Sequence, residues 1–120
     1  MGYNYRKRQI EKIQPRWGDI YIADLGDRKI RPVIIVQNNS GNHFSEHIIV
    51  VPLTSRKKND QPTHVVIPTR CGIRQTSTAI CETILTIDKD DLLRWVGTVT
   101  GFPQEKKLRR AIEISLNLIK

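Results

Sequence analysis

Arg31 and Thr54 are the two residues whose types and positions best suit phosphate chemistry. Arg31 stands just before the apolar segment 32–38, and Thr54 ends the apolar segment 47–54. If these segments pair as a hairpin, both residues lie at one edge of a sheet. A register in which residue 38 faces residue 47 places Arg31 opposite Thr54, whereas a slip of one residue would change the facing side.

The chemistry that this pair suits is binding of a phosphate group. Because the residue before a proline is driven to extended backbone, Pro32 holds Arg31 at the mouth of its strand. A guanidinium clamps phosphate through paired hydrogen bonds but is a poor general base. Thr54 offers a hydroxyl that binds a phosphate oxygen or orients Arg31. The alternative is a surface arginine near a loop threonine, with no role in chemistry.

Histidine and cysteine offer fewer candidates. His43 and His47 lie at the end of the predicted hairpin opposite the Arg31 edge, and His64 fits a structural role, so a two-histidine acid–base mechanism is the lesser alternative. Cys71 falls in a predicted loop and is open to exposure, whereas Cys81 falls in an apolar strand and fits a core position. No cysteine or histidine spacing matches a zinc site. The sequence predicts neither a metal nor a cofactor.

Length and charge indicate a single basic domain that binds a polyanion. The chain has 120 residues and a formal net charge of +8, which favours a partner rich in phosphate; the alternative is a protein that is merely basic. Residues 1–15 are expected to form a basic arm, either flexible or a short helix. No apolar run is long enough for a membrane span and no secretory signal is present, so we expect a cytoplasmic protein.

The hydrophobic pattern predicts a mainly β protein with one C-terminal helix. Residues 39–46 are expected to be a loop, Asp88 to cap a short helical turn, and residues 103–119 to form an amphipathic helix. A small curled antiparallel sheet or barrel with a helix, an α+β fold, accommodates this order. Two strands are apolar on both faces, which indicates that a helix or a second subunit covers the outer face. The predicted strands are 18–25, 32–38, 47–54, 64–68, 77–87 and 95–100.

The order of several segments resembles the MazF/PemK family of toxins. The most specific part is the Arg-Pro-Val-x-x-Val-Gln-Asn pattern that begins at Arg31, followed downstream by Pro-x-Thr-Ser around Thr54. The resemblance covers nearly everything after residue 15. The matching segments are RWGDIYIADL (16–25), KIRPVIIVQNNSGNHFS (29–45), VPLTSR (51–56), PTHVVI (62–67), STAICETILTID (77–88) and ISLNLI (114–119).

The resemblance implies both a fold and a function. Residues 16–120 would form a small SH3-like antiparallel barrel with a C-terminal helix, assembled as a homodimer with RNA in a groove across the interface. The implied activity is that of a type II toxin: metal-independent, sequence-specific cleavage of single-stranded mRNA. Attack by the 2′-OH would leave a 2′,3′-cyclic phosphate and a 5′-OH. A cognate MazE-like antitoxin would fill the RNA groove, with operator DNA bound only through that antitoxin.

The resemblance also implies which residues form the site, by their positions in the family's sequence pattern. Arg31 and Thr54 match the catalytic arginine and threonine. Asn38 and Asn39 are expected to read base edges or else to stabilise a turn. Trp17 is expected to stack on a base or else to plug the core, and Glu82 to lie near the groove or on a solvated strand face. The complete set of expected RNA contacts is Trp17, Lys29, Asn38, Asn39, Arg56 and Glu82.

The chain departs from the family in one place, the connection between the first two strands. The family has a long glycine-rich loop there that covers the active site, whereas this chain has only GDRKI, residues 26–30. This short connection favours an alternative, a binding protein on the same fold that contacts a topoisomerase or holds RNA without cutting it. A plain RNA- or DNA-binding barrel would explain the charge but not the order of the motifs.

Overall fold

A computed structural model describes residues 14–120. The predicted arm, residues 1–15, lies almost wholly outside these described residues. The elements in chain order are β1 (Asp19–Asp24), β2 (Ile30–Ile35), α1 (Asn39–Phe44), β3 (His47–Thr54), β4 (His64–Ile67), β5 (Ser77–Ile80), β6 (Leu85–Asp88), β7 (Leu92–Thr98) and α2 (Gln104–Ser115), with short 3₁₀ helices at Thr69–Cys71 and Lys89–Asp91.

Over residues 14–120, seven strands form one antiparallel sheet with β3 at its centre. The order is β4-β5-β3-β2-β1-β7, and β6 also pairs with β3. Along the edge of β3 that faces away from β2, the first half of the strand pairs with β6 and its end pairs with β5. The predicted α+β architecture is confirmed. The sheet stays open, since within residues 14–120 the terminal strands β4 and β7 do not pair with each other.

Two sequence predictions around β3 are wrong. The expected long strand 77–87 is broken by a turn in which the Thr83 N–H donates to the Ile80 carbonyl at 3.1 Å. The break lets β5 and β6 both pair with β3. The expected loop 39–46 contains the helix α1. Asn38 caps this helix by accepting from the Gly41 N–H at 2.8 Å, because Asn at an N-cap supplies the acceptor that a first helical turn lacks.

Two predictions for the C-terminal part of the chain, the turn after Asp88 and the extent of the last helix, need smaller corrections. The segment after Asp88 forms only a 3₁₀ turn, Asp88 makes no side-chain cap bond, and β7 begins at Leu92 rather than at residue 95. Leu92 is fully buried, and its burial draws the segment into the sheet. Helix α2 ends at Ser115, four residues before the predicted end, and Asn117 with φ 60° continues the chain in the left-handed region.

In the part of the chain that the structure describes, the core consists of two clusters, and each of them draws residues from β1, β2 and β3. Ile34 belongs to the cluster that α2 covers, while its neighbours Val33 and Ile35 belong to the other cluster, which contains Leu92. Burial on both faces of β2 is therefore achieved within the chain. Among the described residues, no helix is both long enough and apolar enough to cross a membrane.

The two cysteines are buried and unpaired. Cys81 is fully buried, which confirms its predicted core position, and burial raises the pKa of its thiol to about 12. Cys71 is only 2% exposed, so its expected exposure in a loop is wrong. Its 3₁₀ turn folds inward against the end of β7, which accounts for its burial.

Candidate active site

The pairing of β2 with β3 has the predicted register. Val33 faces Pro52, and Ile34 faces Val51. Continued toward the start of β2, the same register places Arg31 opposite Thr54. The two residues whose types suit phosphate chemistry therefore meet at one edge of the sheet.

Neighbouring strands hold the backbone of both residues. Arg31 is paired with Ala23 of β1, and Thr54 with Thr78 of β5. The Thr54 Oγ1 accepts the Arg56 N–H at 3.2 Å, which leaves its own hydroxyl hydrogen free to donate. The Arg31 side chain is exposed, and no hydrogen bond or ion pair engages it within residues 14–120. A fixed backbone thus presents a guanidinium whose donors are available to a ligand.

A groove of about 520 Å³ opens beside Arg31. Its walls come from β1, β2, the end of β3, β7 and residues 72–77. None of the described residues that line it is Asp or Glu, so this lining is electropositive and suits an anionic ligand. Its polar lining consists of Arg31, Ser55, Arg74, Gln75, Ser77 and Arg94.

Arg74 and Arg94 line the groove but do not stand out in the sequence. Ile22 of β1 pairs with Pro32 on one side and with Arg94 on the other. A single strand, β1, therefore separates Arg94 from the strand that carries Arg31. The sequence pattern assigns residue 94 to a helical turn. A predicted strand that began at residue 92 instead of residue 95 would have placed Arg94 in the sheet. Arg74 lies in a segment without regular periodicity, and no sequence signal points to it.

A close backbone contact brings Arg74 to the groove. Gly72 has φ 113°, and a β-carbon there would lie 2.7 Å from the Cα of Gly97. Both glycines are therefore needed for the segment after the Thr69–Cys71 turn to lie directly on β7. This contact sets the position of the groove wall that carries Arg74 and Gln75.

Two of the expected RNA contacts, Lys29 and Arg56, lie close to Arg31 and Thr54 along the chain. Lys29 ends the turn between β1 and β2, where its N–H donates to the Gly26 carbonyl at 2.8 Å. Arg56 follows Thr54 by two residues, and both cations are exposed. The structure therefore places Lys29 and Arg56 at the same edge of the sheet as Arg31.

Glu82 lies in the turn between β5 and β6 and is not among the residues that line the groove. Its carboxylate accepts from the Thr63 hydroxyl at 2.9 Å and contacts His64 Nε2 at 3.1 Å. Slight burial raises the pKa of Glu82, but the hydrogen bonds from Thr63, the backbone and His64 outweigh it, so the pKa falls below its ordinary value. These contacts fasten the turn to the start of β4.

Trp17, Asn38 and Asn39 lie at the other end of the sheet from Arg31. Gly18 bonds to the carbonyl of Ile35 at the end of β2, and the Trp17 N–H donates to Asn39 Oδ1 at 2.8 Å. The Trp17 ring packs against the core under α2. The structure thus gives these three residues structural contacts and does not bring them to the Arg31 edge.

The histidines also lie away from the groove, whose lining includes none of them. His43 contacts Gln14 at 3.2 Å, and His47 contacts Asp88 at 3.4 Å. His64 is held between Glu82 and the Asn59 carbonyl. Among residues 14–120, no group of three or more His, Cys, Asp or Glu side chains is placed to hold a metal ion.

Comparisons with known proteins agree with this architecture and cover most of the chain. The chain is 38% identical over 111 residues to the endoribonuclease MazF of Staphylococcus saprophyticus, an alignment that covers 86% of this chain and 92% of that protein. It is 39% identical over 112 residues to the endoribonuclease EndoA of Bacillus subtilis, covering 85% of this chain and 94% of that protein.

A solved structure of a mycobacterial endoribonuclease in complex with its cognate antitoxin has a similar fold. It superposes with a TM-score of 0.79 at 29% identity, over 88% of this chain and 98% of that chain. The family model that describes PemK-like, MazF-like toxins of type II toxin–antitoxin systems matches residues 16–116. This match and the two relatives at 38% and 39% identity show that the chain belongs to the PemK/MazF toxin family.

Proposed function

We propose that the chain is the toxin of a type II toxin–antitoxin system and acts as a sequence-specific endoribonuclease on single-stranded mRNA. The observation that carries this proposal is the β2–β3 register, whose continuation sets Arg31 opposite Thr54. Arg31 also lines a groove that has no Asp or Glu among its described lining residues. The net charge of +8 supports a polyanionic substrate. The relatives named endoribonuclease support the reaction type.

The proposed reaction uses the substrate's own 2′-OH as nucleophile. The 2′-OH gives its proton to solvent water as its oxygen forms a bond to the adjacent phosphorus. The bond from phosphorus to the 5′-oxygen breaks, and the 5′-oxygen takes up a proton from solvent. The products are a 2′,3′-cyclic phosphate and a 5′-OH. Negative charge grows on the phosphoryl oxygens in the transition state, and a pre-positioned guanidinium stabilises such charge. Arg31 fills that role, and the Thr54 hydroxyl donates to a phosphoryl oxygen.

Other cations hold the RNA backbone around this centre. Arg74 and Arg94 line the groove with Arg31, and Lys29 and Arg56 extend the positive edge on either side. Phosphate contacts of this kind position a strand without reading its sequence. Selectivity for sequence then falls to the neutral polar groups of the groove, among which Gln75 has both a donor and an acceptor for a base edge.

The proposed partners follow from the family. We assign the toxin a MazE-like antitoxin, in line with the mycobacterial relative that was solved with its cognate antitoxin. A homodimer with RNA bound across its interface, and operator DNA reached only through the antitoxin, complete the assignment. An mRNA substrate places the activity in the cytoplasm.

A substrate analogue tests the reaction directly. An RNA that the protein cuts is resynthesised with a single 2′-deoxy sugar at the cut site, and the product ends are analysed by mass spectrometry. We expect the natural RNA to give a cyclic phosphate and a 5′-OH, and the deoxy analogue to stay intact. Cleavage of the analogue, or a 5′-phosphate end, would rule out attack by the 2′-OH.

One observation favours the alternative of a binding protein that does not cut RNA. The β1–β2 connection is a tight turn in which the Lys29 N–H bonds back to Gly26, so it is too short to cover the groove. If the folded protein binds RNA but leaves every tested RNA intact, this alternative replaces the enzyme.

A further inference from the structure

Arg74 and Arg94 belong to two segments that a close backbone contact brings together. A β-carbon at Gly72 would overlap the Val96 carbonyl oxygen, so residue 72 lies directly on β7. Arg74 follows residue 72 by two positions, and Arg94 precedes residue 96 by two positions. Each arginine is therefore only two residues away from the same contact.

The two segments run in opposite directions through this contact. After Gly72 the chain proceeds to β5, which reaches the edge of the sheet that carries Thr54. Strand β7 runs the other way, because it begins at that edge and ends beside the start of β1. Arg74 and Arg94 therefore lie on the same side of the contact, and both of them line the groove of Arg31.

The groove lining offers no carboxylate to offset the charge of these two arginines. Both side chains are exposed, and neither makes a hydrogen bond or an ion pair within residues 14–120. Like charges placed close together repel each other, and an anion bound between them removes that cost. Two planar guanidinium groups offer paired donors that suit the oxygens of one phosphate.

The backbone on each side of Arg74 is held in place before any ligand binds. Residue 72 is fixed against β7. Beyond Arg74, the Ser77 hydroxyl donates to the Gln75 carbonyl at 2.9 Å, and Ser77 is only 7% exposed. Arg94 is held by the pairing of β7 with β1. A site whose parts are already positioned loses less entropy when it binds its ligand.

We propose that Arg74 and Arg94 together clamp one phosphate of the bound strand, a phosphate other than the scissile one at Arg31. Strand β1 separates β7 from β2, so the backbone of Arg94 lies roughly 10 Å from the backbone of Arg31. That the strand is RNA rests on the proposed function. The clamp fixes the strand along the groove, so a substrate needs at least one phosphate beyond the scissile one for full affinity.

The salt dependence of binding tests whether the two arginines share one phosphate. The probe is a fluorescein-labelled U12 oligonucleotide with 2′-O-methyl groups, which prevent cleavage by a 2′-OH. Its affinity for the full chain is measured by fluorescence anisotropy at several NaCl concentrations. Each phosphate neutralised in a single strand contributes about 0.7 to the magnitude of the slope of log affinity against log salt.

A shared phosphate predicts a specific pattern of slopes. We expect Arg74→Ala/Arg94→Ala to reduce the magnitude of the slope by about 0.7. Each single variant should reduce it by less than about 0.3, because the remaining arginine still neutralises the phosphate. A reduction of about 0.7 in each single variant and about 1.4 in the double variant would overturn the shared clamp.

A matched control removes the same charge elsewhere. Lys106→Ala/Lys120→Ala changes two exposed residues that do not line the groove, and we expect it to keep the wild-type slope. A reduction equal to that of Arg74→Ala/Arg94→Ala would contradict the proposal, because the slope would then reflect net charge alone. No reduction in either double variant would contradict it as well.

The kinetic effect separates the clamp from the reacting phosphate. On an RNA that the wild type cuts, we expect Arg74→Ala/Arg94→Ala to raise KM by about tenfold and to change kcat by less than about threefold. A fall in kcat with KM unchanged would place the pair at the scissile phosphate and overturn the proposal.

The two measurements also separate this inference from the proposed function. If the expected slopes are found but the wild type cuts no RNA, the proposed enzyme activity fails and the clamp stands. If the wild type cuts RNA but Arg74→Ala/Arg94→Ala keeps the wild-type slope, the clamp is wrong and the proposed activity stands.

Discussion

Gly97 of β7 lies so close to the backbone of Cys71 that a β-carbon at residue 97 would overlap the Cys71 carbonyl oxygen. Because both groups belong to the main chain, the overlap cannot be relieved by a side-chain rotation. We expect Gly97→Ala to push the 72–77 segment away from β7 and to lower the free energy of unfolding by about 2 kcal/mol. Urea denaturation measures this change.

Gly101→Ala provides the control for this effect. Gly101 has φ 88°, but apart from its chain neighbours no atom lies within 4 Å of the point where a β-carbon would stand, so only backbone strain opposes the substitution. That strain costs roughly 1 kcal/mol. If Gly97→Ala proves no more destabilising than Gly101→Ala, the close contact with Cys71 does not constrain the groove wall.

The turn between β1 and β2 stores strain at Arg28. Asp27 and Arg28 have φ values of 49° and 62°, as type I′ turns require, and such turns favour glycine at the second central position. We expect Arg28→Gly to raise the free energy of unfolding by about 0.5–1 kcal/mol. Lys29→Gly, at a residue without positive φ, should instead lower it by a similar amount, about 0.5–1 kcal/mol. A loss of stability in Arg28→Gly would contradict this account of the turn.

The hydroxyl of Thr54 is expected to matter for catalysis more than its shape does. Thr54→Val keeps the volume but removes the hydroxyl that accepts the Arg56 N–H and that, in our proposal, donates to the substrate. We expect the RNA cleavage rate to fall by about tenfold to a hundredfold, while Thr54→Ser retains most of it. Both rates are measured under single-turnover conditions. Equal activity of the valine and serine variants would remove Thr54 from the mechanism.

Glu82 makes a contribution to stability that depends on pH. Its pKa is lowered by contacts with Thr63, the backbone and His64. A carboxylate whose pKa is lower in the folded state stabilises the fold above its unfolded pKa and loses that contribution as the pH falls through the folded pKa. We expect the difference in free energy of unfolding between wild type and Glu82→Gln to have its full size at pH 7. It should vanish at pH values below the ordinary pKa range of carboxyl groups. Urea unfolding at several pH values measures it, and a difference that persists in acid would point to packing instead.

Sequence patterns predict the hairpin of β2 and β3 well, because both strands are continuous apolar runs and a single connection joins them. The pair of Arg31 and Thr54 follows from that hairpin. Glu82 and Thr83, by contrast, give no warning of the break between β5 and β6. That break depends on the ability of β3 to accept two partners along one edge, which is a tertiary relationship.

The groove wall is beyond the reach of sequence patterns for a similar reason. Arg74 reaches the groove because Gly72 and Gly97 allow two backbones to touch, and neither glycine stands in a recognisable turn pattern. The pattern assigns Arg94 to a helical turn because Asp88 resembles an N-cap. The burial of Leu92 outweighs that local preference and extends β7 instead.

The most direct test of the central claim is the rate of RNA cleavage in EDTA by the wild type, Arg31→Ala and Arg31→Lys on several long RNAs. We expect the wild type to cut at a recurring short sequence. Arg31→Ala should be slower by about a hundredfold or more, with the lysine variant between them. A folded Arg31→Ala protein that cuts as fast as the wild type would contradict the account. A wild type that cuts nothing would do so as well.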